Sequence, residues 1–240
     1  MTIRRVIRNL VLQRQAGFEL LSRLRRSEVY LRPETEVLIE GYPRSGNSFA
    51  EAAFVFAQRP RQVVIAHHAH AAGHVLTALK ANVPAMVLFR NPVDAVASFI
   101  EETDGRLSAA IALKEYVQFH RPLIPHNADI LFVPFDDVTR DFPQVIRCLN
   151  AKFGTDFSTY EQTDENVAAV RTLVDEISLR RISKQTRYST SIDEAGREAR
   201  RAELKRLKNS ITETASLAGK LGDAEAMYQK LLRLAKTGTS

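Results

Sequence analysis

The stretch that most limits what this chain can fold into runs from Glu36 to Phe54, EVLIEGYPRSGNSFAEAAF. A short apolar run, Val37-Leu38-Ile39, breaks at Gly41-Tyr42-Pro43 and gives way at Ser48 to an Ala-rich helical pattern. A strand, a tight loop and a helix in that order build an anion site. The N–H groups of the loop and of the first helical turn lack intrahelical partners, and the helix dipole favours negative charge there.

The rest of the chain repeats the alternation. After the first helix come a β-rich run from Gln62 to Ala66 ending in His67-His68-Ala69-His70, then a helical stretch from Ala72 to Lys80. A third apolar run, Ala85 to Phe89, stops at Arg90-Asn91-Pro92, and helical spacing resumes from Asp94 to Ile100 and from Leu107 to Phe119. Ala128 to Pro134 reads as a fourth strand, followed by Asp136-Asp137 and a helix around Phe142 to Phe153. Apolar strands alternating with helices predict an α/β fold: three layers, α/β/α, around a central parallel sheet, like that of P-loop NTPases. Sites in such sheets lie at the carboxyl ends of the strands, where the Gly41 loop, the histidines and Arg90 all fall.

From Glu165 onward the pattern is helical and highly charged, with Arg180 to Arg201 lacking a clear core face. Glu203–Leu221 and Asp223–Ala235 read as surface helices with a break at Gly222. The expectation is one domain over residues 1–240: a basic N-terminal segment (1–34), a nucleotide-binding core (35–155) and a helical C-terminal part (156–240).

Composition narrows the partners. The net charge of +6 favours anionic ligands. The single cysteine, Cys148, excludes an internal disulfide and fits a reducing cytoplasm. No apolar run reaches the roughly 18 residues of a spanning helix, and the N-terminus lacks a signal-peptide pattern. Residues 2–30 show helical apolar spacing with Arg4, Arg5, Arg8, Arg14 and Arg23 on polar positions. Such a segment can lie on an acidic membrane surface, or pack on the domain with its arginines in solvent.

Gly41-x-x-x-x-Gly46-Asn47-Ser48 has the Walker A spacing, but Asn47 stands where the phosphate-binding Lys belongs, and the positive charge appears earlier, at Arg44. An ordinary NTPase needs that Lys with Mg²⁺. The loop Y-P-R-S-G-N-S instead resembles the Y-P-K-S-G-T-T loop of sulfotransferases that use 3′-phosphoadenylyl sulfate (PAPS). Arg90-Asn91-Pro92-Val93-Asp94, with Ser98 eight residues after Arg90, matches that family's R-[ND]-P-x-D-x-x-x-S pattern. Leu131 to Asp137 resembles its L-x-x-x-Y-E-D strand end, with Phe135 in place of Tyr.

The resemblance implies PAPS as co-substrate, its bisphosphate product (PAP), and no metal. It assigns Pro43, Arg44, Ser45, Gly46, Asn47, Ser48 and Phe49 to the 5′-phosphosulfate, and Arg90 and Ser98 to the 3′-phosphate. A guanidinium fork suits phosphate oxygens. The family's C-terminal R-K-G-x-x-G-D-W closure is absent; Arg181, Lys184 and Arg187 could supply its charge, and Arg187 or one of these neighbours is expected as the phosphate contact. Arg44 is expected to neutralise the leaving phosphate, and a His to act as base toward an acceptor hydroxyl or amine. On a strand His68 and His70 share a face and His67 is opposite. His68 matches the family's spacing to Arg90 and His70 its local context, so both stay candidates.

A His/His metal pair is the rival use of the cluster, set aside because no acidic ligand stands at helpful spacing. Rivals to the whole reading are a P-loop kinase or nucleotide hydrolase, or a non-catalytic nucleotide-binding protein of the same fold. The acceptor is expected to be a small molecule, lipid or glycan and not a nucleic acid, with the chain cytoplasmic and able to touch a membrane through residues 2–30.

Overall fold

A computed structural model of the protein describes residues 11–24, 27–182 and 194–237. The strands are β1 (Val37–Gly41), β2 (Ile65–His67), β3 (Ala85–Phe89) and β4 (Leu131–Pro134). They form one sheet in the order β2-β1-β3-β4, and every pairing is parallel. The α/β expectation therefore holds, with the strand that feeds the Gly41 loop in the sheet interior.

Around the sheet lie α1 (Gln15–Leu24), α2 (Asn47–Gln58), α3 (Ala72–Lys80), α4 (Pro92–Glu102) and α5 (Ala109–His120). Then come α6 (Phe135–Arg140), α7 (Phe142–Phe153), α8 (Asp164–Ile182), α9 (Glu194–Glu213) and α10 (Ala218–Thr237). Because strand side chains alternate, each strand feeds two cores. Leu38, Val87, Phe89 and Phe132 pack under α3, α4, α5, α9 and α10. Val37, Ile39, Met86, Leu88, Leu131 and Val133 pack under α2, α7 and α8. Both faces are covered, which is why the strands read as unbroken apolar runs.

Several expectations are corrected. The fourth strand begins at Leu131, because Arg121–Asp129 winds into 3-10 turns, where Pro122 sits in the first turn and loses no N–H bond there. The C-terminal helices do not part at Gly222, which lies inside α10; the break falls at Thr214–Leu217, where a short 3-10 turn buries Leu217. The start of α4 is capped by Asn91, whose Oδ1 accepts the N–H groups of Val93 and Asp94 (3.0 and 3.4 Å), with Pro92 beside it.

The N-terminal residues 1–10 lie outside the described residues. Within α1, Phe18 is buried and stacks on His74 (centroids 4.7 Å apart), which packs the helix on α3. Leu20 and Leu24 on the same helix stay exposed. Among the described residues no helix is long and apolar enough to cross a membrane.

Candidate active site

The loop after β1 is shaped by its own backbone. A side chain at Gly41 would place its Cβ 2.6 Å from the Leu88 carbonyl oxygen, so the close approach of β1 to β3 requires glycine. Asn47 does not replace the missing Lys. Its side chain is turned in, with Nδ2 donating to the Tyr42 carbonyl (3.2 Å), and the Ser45 N–H donates to the same oxygen (3.2 Å). The Ser45 hydroxyl is sealed from solvent and its N–H is spent on Tyr42, so of the two residues only Asn47 offers an anion a backbone N–H. Gly46, at φ 95°, caps α2 without a side chain, and the opening N–H groups of Asn47, Ser48 and Phe49 have no intrahelical acceptor. Phe49 itself is half-buried against the core on the α2 face.

The second motif is brought against this loop. Arg44 leaves the backbone in the left-handed region (φ 68°), and its Nε donates to Ser98 Oγ on α4 at 3.0 Å. Its Nη1 pairs with Glu102 Oε1, also at 3.0 Å. Arg90 Nη1 donates to the Arg44 carbonyl (3.3 Å), and the Arg90 guanidinium lies 4.1 Å above the Phe135 ring. Burial lowers the Arg90 pKa; Asp94 and Asp136 oppose that shift and nearby Arg44 adds to it, leaving it below the ordinary arginine value. Four of the residues singled out by the sequence, Arg44, Gly46, Arg90 and Ser98, thus meet at the carboxyl ends of β1 and β3. Arg187 lies outside the described residues.

The histidines follow a turn rather than the strand expected. β2 ends at His67, and His68 and His70 both adopt positive φ (55° and 51°), a conformation costing about 1 kcal/mol or more per residue. With Arg44, that puts three such strained residues in one site. His70 Nδ1 lies 2.8 Å from the Gly41 carbonyl. A carbonyl only accepts, so the proton sits on Nδ1 and leaves Nε2 as the basic nitrogen. His68 is differently placed: Nε2 is 3.2 Å from Ser48 Oγ and Nδ1 is 3.0 Å from His67 Nδ1.

One buried carboxylate holds both loops. Glu40 accepts the N–H of Gly41 (3.3 Å) through Oε1, and through Oε2 meets the Ala69 N–H and His74 Nδ1, both at 3.0 Å. Burial pushes its carboxyl up, but the hydrogen bond and charge of His74, with help from His70, leave it below the usual carboxylate value.

His68, His70 and Pro43 line a cleft of about 340 Å³. The N-terminal segment also lines it, through Leu12, Leu21 and Tyr30, as do Glu102 and Glu115. Sequence reasoning missed Glu102, although it stands one helical turn after Ser98 on the same face. It also missed Glu40 and the N-terminal lining, for which no local pattern gives a signal.

No family model and no curated protein matches the chain. Among solved structures, mouse sulfotransferase SULT7A1 complexed with PAP matches 69% of this chain and 70% of that chain, at 13% identity and a TM-score of 0.42. A likeness of that size says nothing about donor or acceptor.

Proposed function

We propose that the protein transfers a sulfuryl group from PAPS to a hydroxyl or amine acceptor. The observation that carries this reading is the contact between its two anion-binding motifs, with Arg44 reaching Ser98 and Arg90 reaching the Arg44 carbonyl. A doubly phosphorylated nucleotide needs two such sites side by side. The loop and α2 N–H groups hold the 5′-phosphate, while Arg90 and Ser98 hold the 3′-phosphate through a fork and a hydroxyl.

Arg44 stands between the two. Its side chain pairs with Glu102, so an incoming anionic group of the nucleotide would compete with that carboxylate for the guanidinium. Exchange of one anion for the other turns the guanidinium toward the bridging oxygen, where it stabilises charge leaving with the 5′-phosphate. Arg does not give up a proton at neutral pH, so its part is electrostatic.

His70 is the base. Its Nδ1–H is fixed on the Gly41 carbonyl, its Nε2 is the acceptor nitrogen, and it lines the cleft in which the acceptor would sit. His68 has a neighbour at each ring nitrogen. The lining is mixed: apolar side chains alternate with two histidines, Gln13, two tyrosines and the carboxylates of Glu102 and Glu115, and those two acidic groups suit a neutral or amine-bearing acceptor over an acidic glycan.

The test is calorimetric binding of PAP and ATP with and without Mg²⁺, followed by sulfate transfer from PAPS to a panel of phenols, alcohols and amines. PAP binding without Mg²⁺, with turnover lost in His70→Ala but PAP affinity retained, is the expected result. Mg²⁺-dependent ATP turnover without PAP binding would overturn the proposal.

A further inference from the structure

The acidic ligand missing from the local sequence arrives from another element: Glu51, on α2, lies against the end of β2. Its Oε1 is 3.4 Å from His67 Nε2 and its Oε2 is 3.5 Å from His68 Nδ1, while the two histidine Nδ1 atoms are 3.0 Å apart. One donor atom from each residue can be chosen so that all lie within 4.8 Å of one another.

We propose that Glu51, His67 and His68 bind one divalent transition-metal ion, with Zn²⁺ the best match. In a tetrahedral zinc site with bonds of 2.0–2.1 Å, neighbouring donor atoms stand about 3.3 Å apart. With one donor from each residue the three lie within 4.8 Å of one another here, so binding would draw them together by up to about 1.5 Å. Two imidazoles and one carboxylate are a zinc-type donor set. Mg²⁺ and Ca²⁺ prefer oxygen alone. The three side chains are only 8%, 13% and 16% exposed, which keeps competing water low. His68 also borders the cleft, so the fourth position is open to a water or another donor.

The outer contacts fit the same assignment. A ligating histidine normally donates its other ring N–H to a fixed acceptor. With Nδ1 of His68 on the metal, Nε2–H points to Ser48 Oγ at 3.2 Å. The ion would then tie the anion loop to the end of β2 through His68. If the sulfotransferase reading holds, it also removes His68 from proton abstraction and leaves that role to His70. The metal site itself does not depend on that reading.

The experiment uses the full chain, stripped with a chelator and dialysed. Zn²⁺ is titrated by calorimetry, and Co²⁺ substitution is followed by visible absorption. The expected result is one ion per chain, a tetrahedral Co²⁺ spectrum, and a raised unfolding temperature with Zn²⁺. Glu51→Gln and His67→Ala each abolish the spectrum, Ser48→Ala weakens Zn²⁺ binding roughly tenfold, and His126→Ala changes nothing. Circular dichroism identifies any variant that fails to fold; Glu51→Gln, nearly isosteric, keeps the test decisive. Absence of stoichiometric binding by the native chain, or binding that survives in both folded ligand variants, overturns the site. Since none of these readouts uses PAPS, failure here is distinct from failure of the transferase reading.

Discussion

At the scale of single residues, the two arginines carry separable predictions. Arg90 is held by the Phe135 face and by its bond to the Arg44 carbonyl, so its fork is pre-aimed. Replacing it with Ala removes charge-assisted hydrogen bonds of about 1.5–3 kcal/mol, a drop in PAP affinity of roughly 10- to 150-fold. Arg90→Lys should recover only part of this, because a point charge lacks the planar fork. Calorimetric titration of both variants checks it. Glu102 makes the opposite prediction. As a competitor for Arg44 in a part-exposed pair, its neutralisation in Glu102→Gln should tighten PAP binding up to about fivefold. Weaker binding instead would mean that the carboxylate orients Arg44 and does not compete with the nucleotide.

Among elements, the strand–loop–helix around Gly41 and the Arg90–Ser98 helix start were legible, because each is written in consecutive residues whose local chemistry is one-sided: glycines, prolines and a fixed periodicity. The partners that aim those residues were not. Glu40 looks like an ordinary strand residue until the fold places Ala69 and His74 against it, and nothing near His67 in sequence announces Glu51. The histidine turn failed for a related reason. Period-two alternation applies while a strand lasts, and β2 stops at His67 because His68 and His70 take left-handed backbone conformations. The Gly41 junction gives an element-scale test: Gly41→Ala forces a methyl against the Leu88 carbonyl, and chemical denaturation should show a loss of about 3 kcal/mol, the upper end of overpacking.

For the whole molecule, the clearest consequence concerns acid. His120 is fully buried beneath Tyr42 and Tyr116; burial drives its pKa down to about 3, and its hydrogen bond to the Tyr116 carbonyl offsets only part of that. Unfolded, the same imidazole takes up a proton near its ordinary 6.5. Its contribution to stability is therefore whole above that pH. It drains away as pH falls from there toward 3, by up to about 1.4 kcal/mol per unit. Denaturation midpoints measured between pH 7.5 and 5 should fall by an amount equivalent to about 2 kcal/mol, and His120→Leu should flatten that slope.

The cleft is lined both by Leu12, Leu21 and Tyr30 of the leading segment and by Tyr42 and Pro43 of the loop that would carry the nucleotide. Under the proposed sulfuryl transfer, two far-apart stretches of chain would serve two halves of one reaction. Grafting a different leading segment onto the same sheet could retune which molecule is modified while the donor cradle stays untouched, making selectivity a detachable part.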